Sequence, residues 1–312
     1  MRIVATAEVP PVAREAFAPL GEIVVGGGAV ADAEVLIVRG APVGAELLER
    51  APRLRAIART GAGYDNVDVE AATERGIPIV YAPGVGSQPV AEGTVALMLA
   101  AAKRLRALGA LVENGSWASR YEVPGFDLEG ACLGVVGFGS IGRHVARLCR
   151  GLGMRVIAHD PALKGSTGDP RVELVGLHDL VRRADVISFH CELTEATRGL
   201  VDHRLLAQVK RGAILVNVAR GQIVESEDVL AEALVSGRLS AVALDVFPTE
   251  PPEPRHRLYE DPRVICTPHS VGLTRRWNEE VFGCLADGVQ ALLAGEQPAN
   301  LLNPEALHAP RP

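Results

Sequence analysis

The sequence predicts an α/β protein made of two doubly wound parallel-sheet domains. Three observations predict it. Short apolar runs alternate with helical patterns along most of the 312 residues, as they do when helices cover both faces of a parallel sheet. One long alanine- and leucine-rich stretch, Val90 to Glu113, interrupts the alternation. Beyond it, Val135-Val136-Gly137-Phe138-Gly139-Ser140-Ile141-Gly142 sets G-x-G-x-x-G between an apolar run and a helical pattern.

In the first unit, Ile3–Ala7, Ile23–Val25, Val35–Val38, Ala56–Ala58 and Ile79–Tyr81 read as strands. Pro11–Leu20, Gly44–Arg50 and Val67–Arg75 read as the helices between them. Pro89 then opens the long helix, a proline being well placed in a first turn, and Asn114-Gly115 ends it. Ser116 to Gly130, with Trp117, Pro124 and Gly125, reads as a connector. The strands of the second unit are Ala131–Val136, Arg155–Ala158, Val186–His190, Ala213–Asn217, Ala241–Asp245 and Val264–Thr267. A final helix, Trp277 to Ala294, is long enough to leave this unit, and the proline-rich tail Asn300 to Pro312 is expected on the first one. The expected division is therefore a discontinuous domain of residues 1–99 and 285–312 around a domain of residues 100–284. A cleft between two such domains is the natural place for a ligand.

Bulk composition narrows the function. The chain is 48% hydrophobic and 22% charged, as in soluble globular proteins. Net charge is −6, so no basic footprint calls for nucleic acid. The longest alanine-leucine stretch, Val95 to Ala102, is too short to span a bilayer. Cys132, Cys149, Cys191, Cys266 and Cys284 are scattered and form no C-x-x-C; reduced thiols in a cytoplasmic protein are expected, with no metal. The N-terminus begins as a strand and lacks the long apolar segment of a signal peptide.

Each part of the glycine motif has a task in gripping a dinucleotide. Gly137 permits the tight turn, Gly139 lets a pyrophosphate approach the backbone, and Gly142 lets helix and strand pack closely. The helix that follows offers N–H groups and a positive dipole end to phosphates. Asp160 ends the next strand, 23 residues after Gly137, where a carboxylate accepts hydrogen bonds from the adenosine ribose. The same carboxylate repels a 2′-phosphate, so NAD is expected over NADP.

Arg220, Glu250 and His269 each follow a strand of the second unit. Ligands of open α/β sheets sit beyond the carboxyl ends of strands. These residue types suit hydride transfer at a 2-hydroxy or 2-oxo acid. Arg220 can fork onto a carboxylate, and His269 can move the hydroxyl proton. Glu250 beside the imidazole would favour the imidazolium and hold its orientation.

Long motifs carry a family resemblance over nearly the whole chain. They are Arg59-Thr-Gly-Ala-Gly-Tyr-Asp-Asn-Val-Asp68, Val90-Ala91-Glu92, Gly137–Gly142 and His190-Cys-Glu-Leu-Thr194. Val216-Asn-Val-Ala-Arg-Gly221, Leu244-Asp-Val-Phe-Pro-Thr-Glu-Pro251 and Thr267-Pro-His269 follow in order. The chain resembles the D-isomer-specific 2-hydroxyacid dehydrogenases, and among them the short 3-phosphoglycerate dehydrogenases. The resemblance implies a flavodoxin-like substrate-binding domain and a Rossmann NAD-binding domain. It implies Arg220, Glu250 and His269 as the catalytic triad. It also implies cofactor contacts at Ser140, Ile141, Asp160, Cys191, Val218, Ala219, Asp245 near the carboxamide, and Gly272. Ala62 and Gly63 fall on the carboxylate-binding loop, and Arg39, Arg59 and Arg120 on positions that hold a distal phosphate. Arg39 and Arg120 are otherwise expected to pair with local acids. A homodimer is implied, with Trp117 to Pro124 as a swapped contact and Arg120 reaching the neighbouring site. No serine-sensing regulatory domain is expected.

Several positions depart from the family pattern: Tyr81, Gly86-Ser87-Gln88-Pro89, Glu192 and Leu273-Thr274-Arg275-Arg276-Trp277. All fall where substrate choice is made. The expected activity is NAD-dependent interconversion of a D-2-hydroxyacid and its 2-oxoacid, with 3-phosphoglycerate or a similar phospho- or phosphono-acid as substrate. A glyoxylate- or hydroxypyruvate-type 2-ketoacid reductase is the alternative. An NAD-sensing binding protein is the alternative from another class.

Overall fold

The computed structural model describes residues 1–309, and its strands form two parallel sheets. The chain begins with β1 (Arg2–Ala5), α1 (Pro11–Phe17), β2 (Glu22–Val25), β3 (Val35–Val38), α2 (Ala45–Glu49), β4 (Ala56–Arg59), α3 (Val69–Glu74) and β5 (Ile79–Val80). The strands lie in the order β2-β1-β3-β4-β5, the flavodoxin-like arrangement. All four residues of β3 are buried, as continuous apolar runs are when helices cover both sheet faces. Pro11 stands at the start of α1, and Asp68 caps α3 by accepting from the Ala71 N–H at 2.9 Å.

The middle of the chain holds α4 (Ser87–Ala102), α5 (Leu105–Glu113), β6 (Cys132–Val136), α6 (Ser140–Gly151), β7 (Arg155–His159), β8 (Val172–Leu174) and α7 (Leu177–Arg183). It continues with β9 (Val186–Phe189), α8 (His203–Gln208), β10 (Ala213–Asn217), α9 (Glu227–Val235), β11 (Leu239–Leu244), α10 (Arg257–Glu260) and β12 (Val264–Cys266). The sheet order β12-β11-β10-β9-β6-β7-β8 is a Rossmann sheet, its two halves winding outward from the β6–β9 junction. One core cluster joins Leu180, Ile187, Leu215, Leu230 and Leu258. A second, on the side of α4 and α6, joins Met98, Leu133, Val145, Cys149 and Ile214.

The last helix, α11 (Arg275–Leu293), packs Val281, Phe282, Leu285 and Val289 into the core of the first sheet. The tail then blunts that sheet's edge. Leu301 pairs antiparallel with Val80, and the buried Asn303 accepts from the Ile79 N–H at 2.7 Å and donates to Ile77 O at 3.1 Å. The expected placement of the tail on the first unit holds through residue 309; Pro310, Arg311 and Pro312 lie outside the described residues.

Three expectations are redrawn. The two compact units are Met1–Gly86 with Leu273–Pro312, and Ser87–Gly272, so the chain crosses between them at 86/87 and 272/273 rather than near 100 and 285. The reason is packing: α4 buries Ala91, Leu97, Met98, Ala101 and Ala102 in a core of the second unit, and α11 gives its apolar face to the first. The long helix is two helices, broken where Arg104 takes φ 55°, and it starts at Ser87, with Pro89 still in the first turn. The strand β8 was not read from sequence, because three residues, Val-Glu-Leu, carry too little pattern.

Candidate active site

The turn after β6 has the three properties its glycines imply. Gly137 has φ 91°, and a Cβ there would meet Cys191 N at 2.5 Å and His190 C at 2.7 Å. A Cβ on Gly142 would run into Gly137 O, so this glycine lets α6 close onto the turn. At Gly139 a Cβ would meet nothing within 4 Å. That open side, at the start of α6 where N–H groups lack intrahelical partners, is a fitting cradle for a pyrophosphate. Asp160 closes the site: its carboxylate accepts from the Phe138 N–H at 2.8 Å and the Ala162 N–H at 2.9 Å. The acid is thereby fixed against the glycine turn. The residues fit a dinucleotide, and Gly137, Gly139, Ser140, Ile141, Gly142 and Asp160 would hold it. Cys191 leans on Gly137, and burial pushes its thiol up to about 11.

The triad comes from three neighbouring strands of one sheet, β10, β11 and β12. Asn217, fully buried at the end of β10, shapes the turn to Arg220. It accepts from the Ala219 N–H at 3.0 Å and donates to Arg220 O at 2.9 Å. Val218 and Ala219 are buried in that turn. Gly221 lies so close to Phe247 that a Cβ would overlap the Phe247 carbonyl, and Gln222 donates to Pro248 O at 3.0 Å. These contacts draw the Arg220 turn against the loop that carries Glu250. Glu250 Oε1 accepts from the Phe247 N–H at 3.1 Å, and its Oε2 lies 2.8 Å from His269 Nδ1. Burial pushes the Glu250 carboxyl up, but His269, the Phe247 N–H and the Arg220 charge together hold it below its ordinary value.

His269 sits at φ 50°, a conformation unfavourable for a residue with a side chain, so its loop must be held. Its N–H donates to Asp245 O at 2.7 Å. The Asp245 carboxylate, 2% exposed, accepts from Thr267 Oγ1 at 2.6 Å, the Ser270 N–H at 2.8 Å and the Val271 N–H at 3.3 Å. Burial pushes this carboxyl up from its ordinary value against those hydrogen bonds. The imidazole remains 51% exposed and Glu250 38% exposed, so the pair is open to a reactant. His190 is the contrast. Its Nδ1 is buried without a hydrogen-bond partner among the described residues, its Nε2 lies 2.8 Å from Ser188 Oγ, and burial pushes its pKa down to about 3.

In the first unit, Arg39 and Arg59 lie at the ends of adjacent strands, Val38 standing opposite Arg59. Asn66 ties the two ends together, donating to Arg39 O at 2.9 Å and accepting from Arg59 Nε at 2.9 Å. Arg39 donates to Glu8 O at 2.5 Å and, among the described residues, has no acid partner; burial alone lowers its pKa. Ala62 and Gly63 occupy the turn after β4, with Gly61 3.6 Å from Arg59 Nη1 when given a Cβ. Arg120 is elsewhere, in the second unit. It is exposed and stacks over Trp117 and Tyr121, its Cζ 5.3 and 4.3 Å from their ring centres. It pairs with no acid among the described residues either.

Sequence reading gave no role to Asn217 or to the contact of α4 with the His269 loop, and it set Ser87 among the positions of substrate choice, whereas the buried Ser87 Oγ accepts from Ser140 Oγ at 2.8 Å. Tyr81, noted as unusual, packs edge-on to Tyr64 at 6.1 Å.

Residues 95–271 match the family described as D-isomer specific 2-hydroxyacid dehydrogenase, NAD binding domain. The D-3-phosphoglycerate dehydrogenase of Methanocaldococcus jannaschii is 40% identical over 277 residues, 88% of this chain and 52% of that protein. The hydroxypyruvate reductase of Thermotoga maritima is 41% identical over 243 residues, 77% of this chain and 78% of that protein. Among solved structures, the TT0316 protein from Thermus thermophilus is similar with a TM-score of 0.90 at 35% identity, covering 97% of this chain and all of that one. The chain spans about half the length of the phosphoglycerate dehydrogenases it matches. Fold, glycine turn and family match agree: the chain belongs to the D-isomer specific 2-hydroxyacid dehydrogenase family, and its second unit is the NAD-binding domain.

Proposed function

We propose that the chain is an NAD-dependent oxidoreductase acting between a D-2-hydroxyacid and its 2-oxoacid, with 3-phosphoglycerate or a similar phospho- or phosphono-acid as substrate. The observation that carries the reaction class is the His269 Nδ1 to Glu250 Oε2 contact of 2.8 Å at the carboxyl end of the NAD-binding sheet. NAD, when bound, supplies the hydride acceptor at C4 of its nicotinamide. With Nδ1 donating to Glu250, His269 keeps Nε2 as a lone pair that takes the proton of the substrate hydroxyl. Glu250 stabilises the imidazolium that forms. Arg220 pairs with the substrate carboxylate and polarises the adjacent C–O bond. In reduction the same proton returns from His269 to the oxygen.

The support for a phosphorylated substrate comes from the first unit. Arg39 is a half-buried cation without an acid partner among the described residues, beside Arg59 on the next strand. Ala62 and Gly63 offer N–H groups in the same turn region. The second reading, a glyoxylate- or hydroxypyruvate-type reductase, has its own support: the Thermotoga hydroxypyruvate reductase is matched over 78% of its length. We place a homodimer contact on α5 and the aromatic segment 117–121, and a cytoplasmic location on five free cysteines. No helix among the described residues is long and apolar enough to cross a membrane.

Initial rates test this reading, with NAD and 3-phosphoglycerate measured beside NADH with glyoxylate, hydroxypyruvate and phosphonate-bearing acids. Preference for phosphorylated or phosphonylated acids supports the anion site. Preference for small 2-oxo acids moves the assignment to the second reading. Absence of turnover with bound NADH leaves an NAD-sensing protein.

A further inference from the structure

The loop that carries His269 is gripped from two sides. Asp245 holds its inner side through Thr267, Ser270 and Val271. The other grip is α4, and it works through the absence of a side chain. A Cβ on Gly93 would overlap Val271 Cβ and come within 2.7 Å of Val271 O. One turn earlier, Val90 Cγ2 would lie 2.7 Å from a Cβ on Gly272. Val271 and Gly272 therefore rest directly on the helix surface, two and three residues after His269.

The helix is the fixed member of this contact. Its start is tied to α6, the helix of the dinucleotide turn, by Ser140 Oγ donating to Ser87 Oγ at 2.8 Å and Arg147 Nη2 donating to Gln88 Oε1 at 2.8 Å. Below, Ala91, Leu97, Met98, Ala101 and Ala102 are buried in the core. The loop is the weaker member, since it carries a non-glycine residue at φ 50°. A side chain forced between them displaces the loop.

We propose that Gly93 is a positioning residue for His269: α4 is a mount, anchored on the dinucleotide helix, whose bare surface at Gly93 sets the height of the catalytic loop. Gly93 touches no reactant and acts only through Val271. The proposal rests on His269 as the acid–base group, whichever acid is the best substrate.

The test is Gly93→Ala in the full chain, read with the best substrate found above. Alanine improves helix propensity by about 1 kcal/mol, so the substitution does not weaken α4 itself. Displacing a catalytic group by a fraction of an ångström to 1 Å costs roughly 10- to 100-fold in rate, and kcat is expected to fall by that factor. NADH affinity, measured by fluorescence titration, is expected to change by no more than about threefold. Glu250 is faced by His269, Arg220 and the Phe247 N–H. A displaced His269 loosens that set, so the Glu250 carboxyl rises toward its ordinary value. In the direction of 2-oxoacid reduction, where His269 gives the proton, the acid limb of the kcat profile then moves up. Val271→Gly, which removes the nearest clashing atom, is expected to restore part of the lost kcat in the double variant.

Unchanged kcat in Gly93→Ala overturns the proposal. So does a loss of NADH affinity in proportion to kcat, which makes the loop a cofactor contact only, or a fall in thermal stability with an unmoved pH profile. If Gly93→Ala does not fold, Val90→Leu, which presses on Gly272 instead, must show the same kcat and pH signature or the proposal fails. His269→Ala separates the two levels: a competent His269→Ala enzyme removes the catalytic reading, whereas an inert one beside an unaffected Gly93→Ala removes only the mount.

Discussion

Glu250 shows how a single carboxylate is set for its task. Desolvation works against its charge, and the imidazole, one backbone N–H and a guanidinium outweigh it. The net direction is downward, so Glu250 is ionised through the neutral range and its charge is lost only as pH falls below about 4.3, the ordinary glutamate value. The sign for stability follows: the pair's contribution is present above the unfolded pKa and lost as pH falls through the lower folded one. In the direction of 2-oxoacid reduction, where His269 gives the proton, turnover is therefore expected to have an acid limb below the ordinary carboxylate range. Glu250→Gln is expected to remove that limb and lower kcat roughly tenfold or more at neutral pH; a pH–rate profile checks it, and an unaltered acid limb assigns the limb to another group. The triad itself was legible, because each member follows an apolar run and strand ends are where ligands sit. The contacts made by Asn217, Ser87 and Gly93 were not. Their partners are Ala219 and Arg220, Ser140, and Val271, and only strand order and helix packing disclose such pairs beyond the nearest neighbours in sequence.

At the scale of elements, the glycine turn and most strands could be read because burial on both faces leaves unbroken apolar runs. The break between α4 and α5 could not, because no glycine or proline marks it. Arg104 takes a left-handed conformation there and donates to Ser240 O at 2.5 Å. Two residues on, Arg106 donates to Val264 O and Tyr259 O at 2.8 Å each and to Asp261 O at 3.2 Å. The break thus sits at tertiary contacts: two arginines cap carbonyls near β11 and β12 where α4 ends and α5 begins. Arg106→Ala leaves those carbonyls to solvent and frees α5 at its base. A loss of about 1.5–3 kcal/mol is expected, the range for hydrogen bonds to charged groups, and urea unfolding measures it. Stability within error of the parent would mean that α5 is held by something other than Arg106.

For the whole molecule, the open question is what covers α5. None of its residues is buried, although Leu105, Leu108, Leu111 and Val112 make it strongly apolar. The segment after it adds Trp117 at 65% and Tyr121 at 79% exposure, with Phe126 beyond. Isolated apolar residues at a surface need no explanation, but a run of them on one helix and the adjoining turn does. A second copy of the chain is the proposed occupant, as the family resemblance implies for the connector. Arg120 supports the same assignment. Its guanidinium lies over the Trp117 and Tyr121 rings and donates to Tyr121 Oη at 2.8 Å and to Trp117 O at 3.0 Å, a cation on the very segment proposed to reach the neighbouring site. Aromatic and arginine side chains are the types that dominate interface energetics. Sedimentation analysis is expected to show a dimer for the parent chain, and Trp117→Ser with Tyr121→Ser is expected to shift it toward monomer. If Arg120 serves the neighbour's anion site, monomerisation also raises KM for a phosphorylated substrate more than for a small 2-oxo acid. A variant that becomes monomeric with both KM values unmoved would keep the dimer and remove Arg120 from the site.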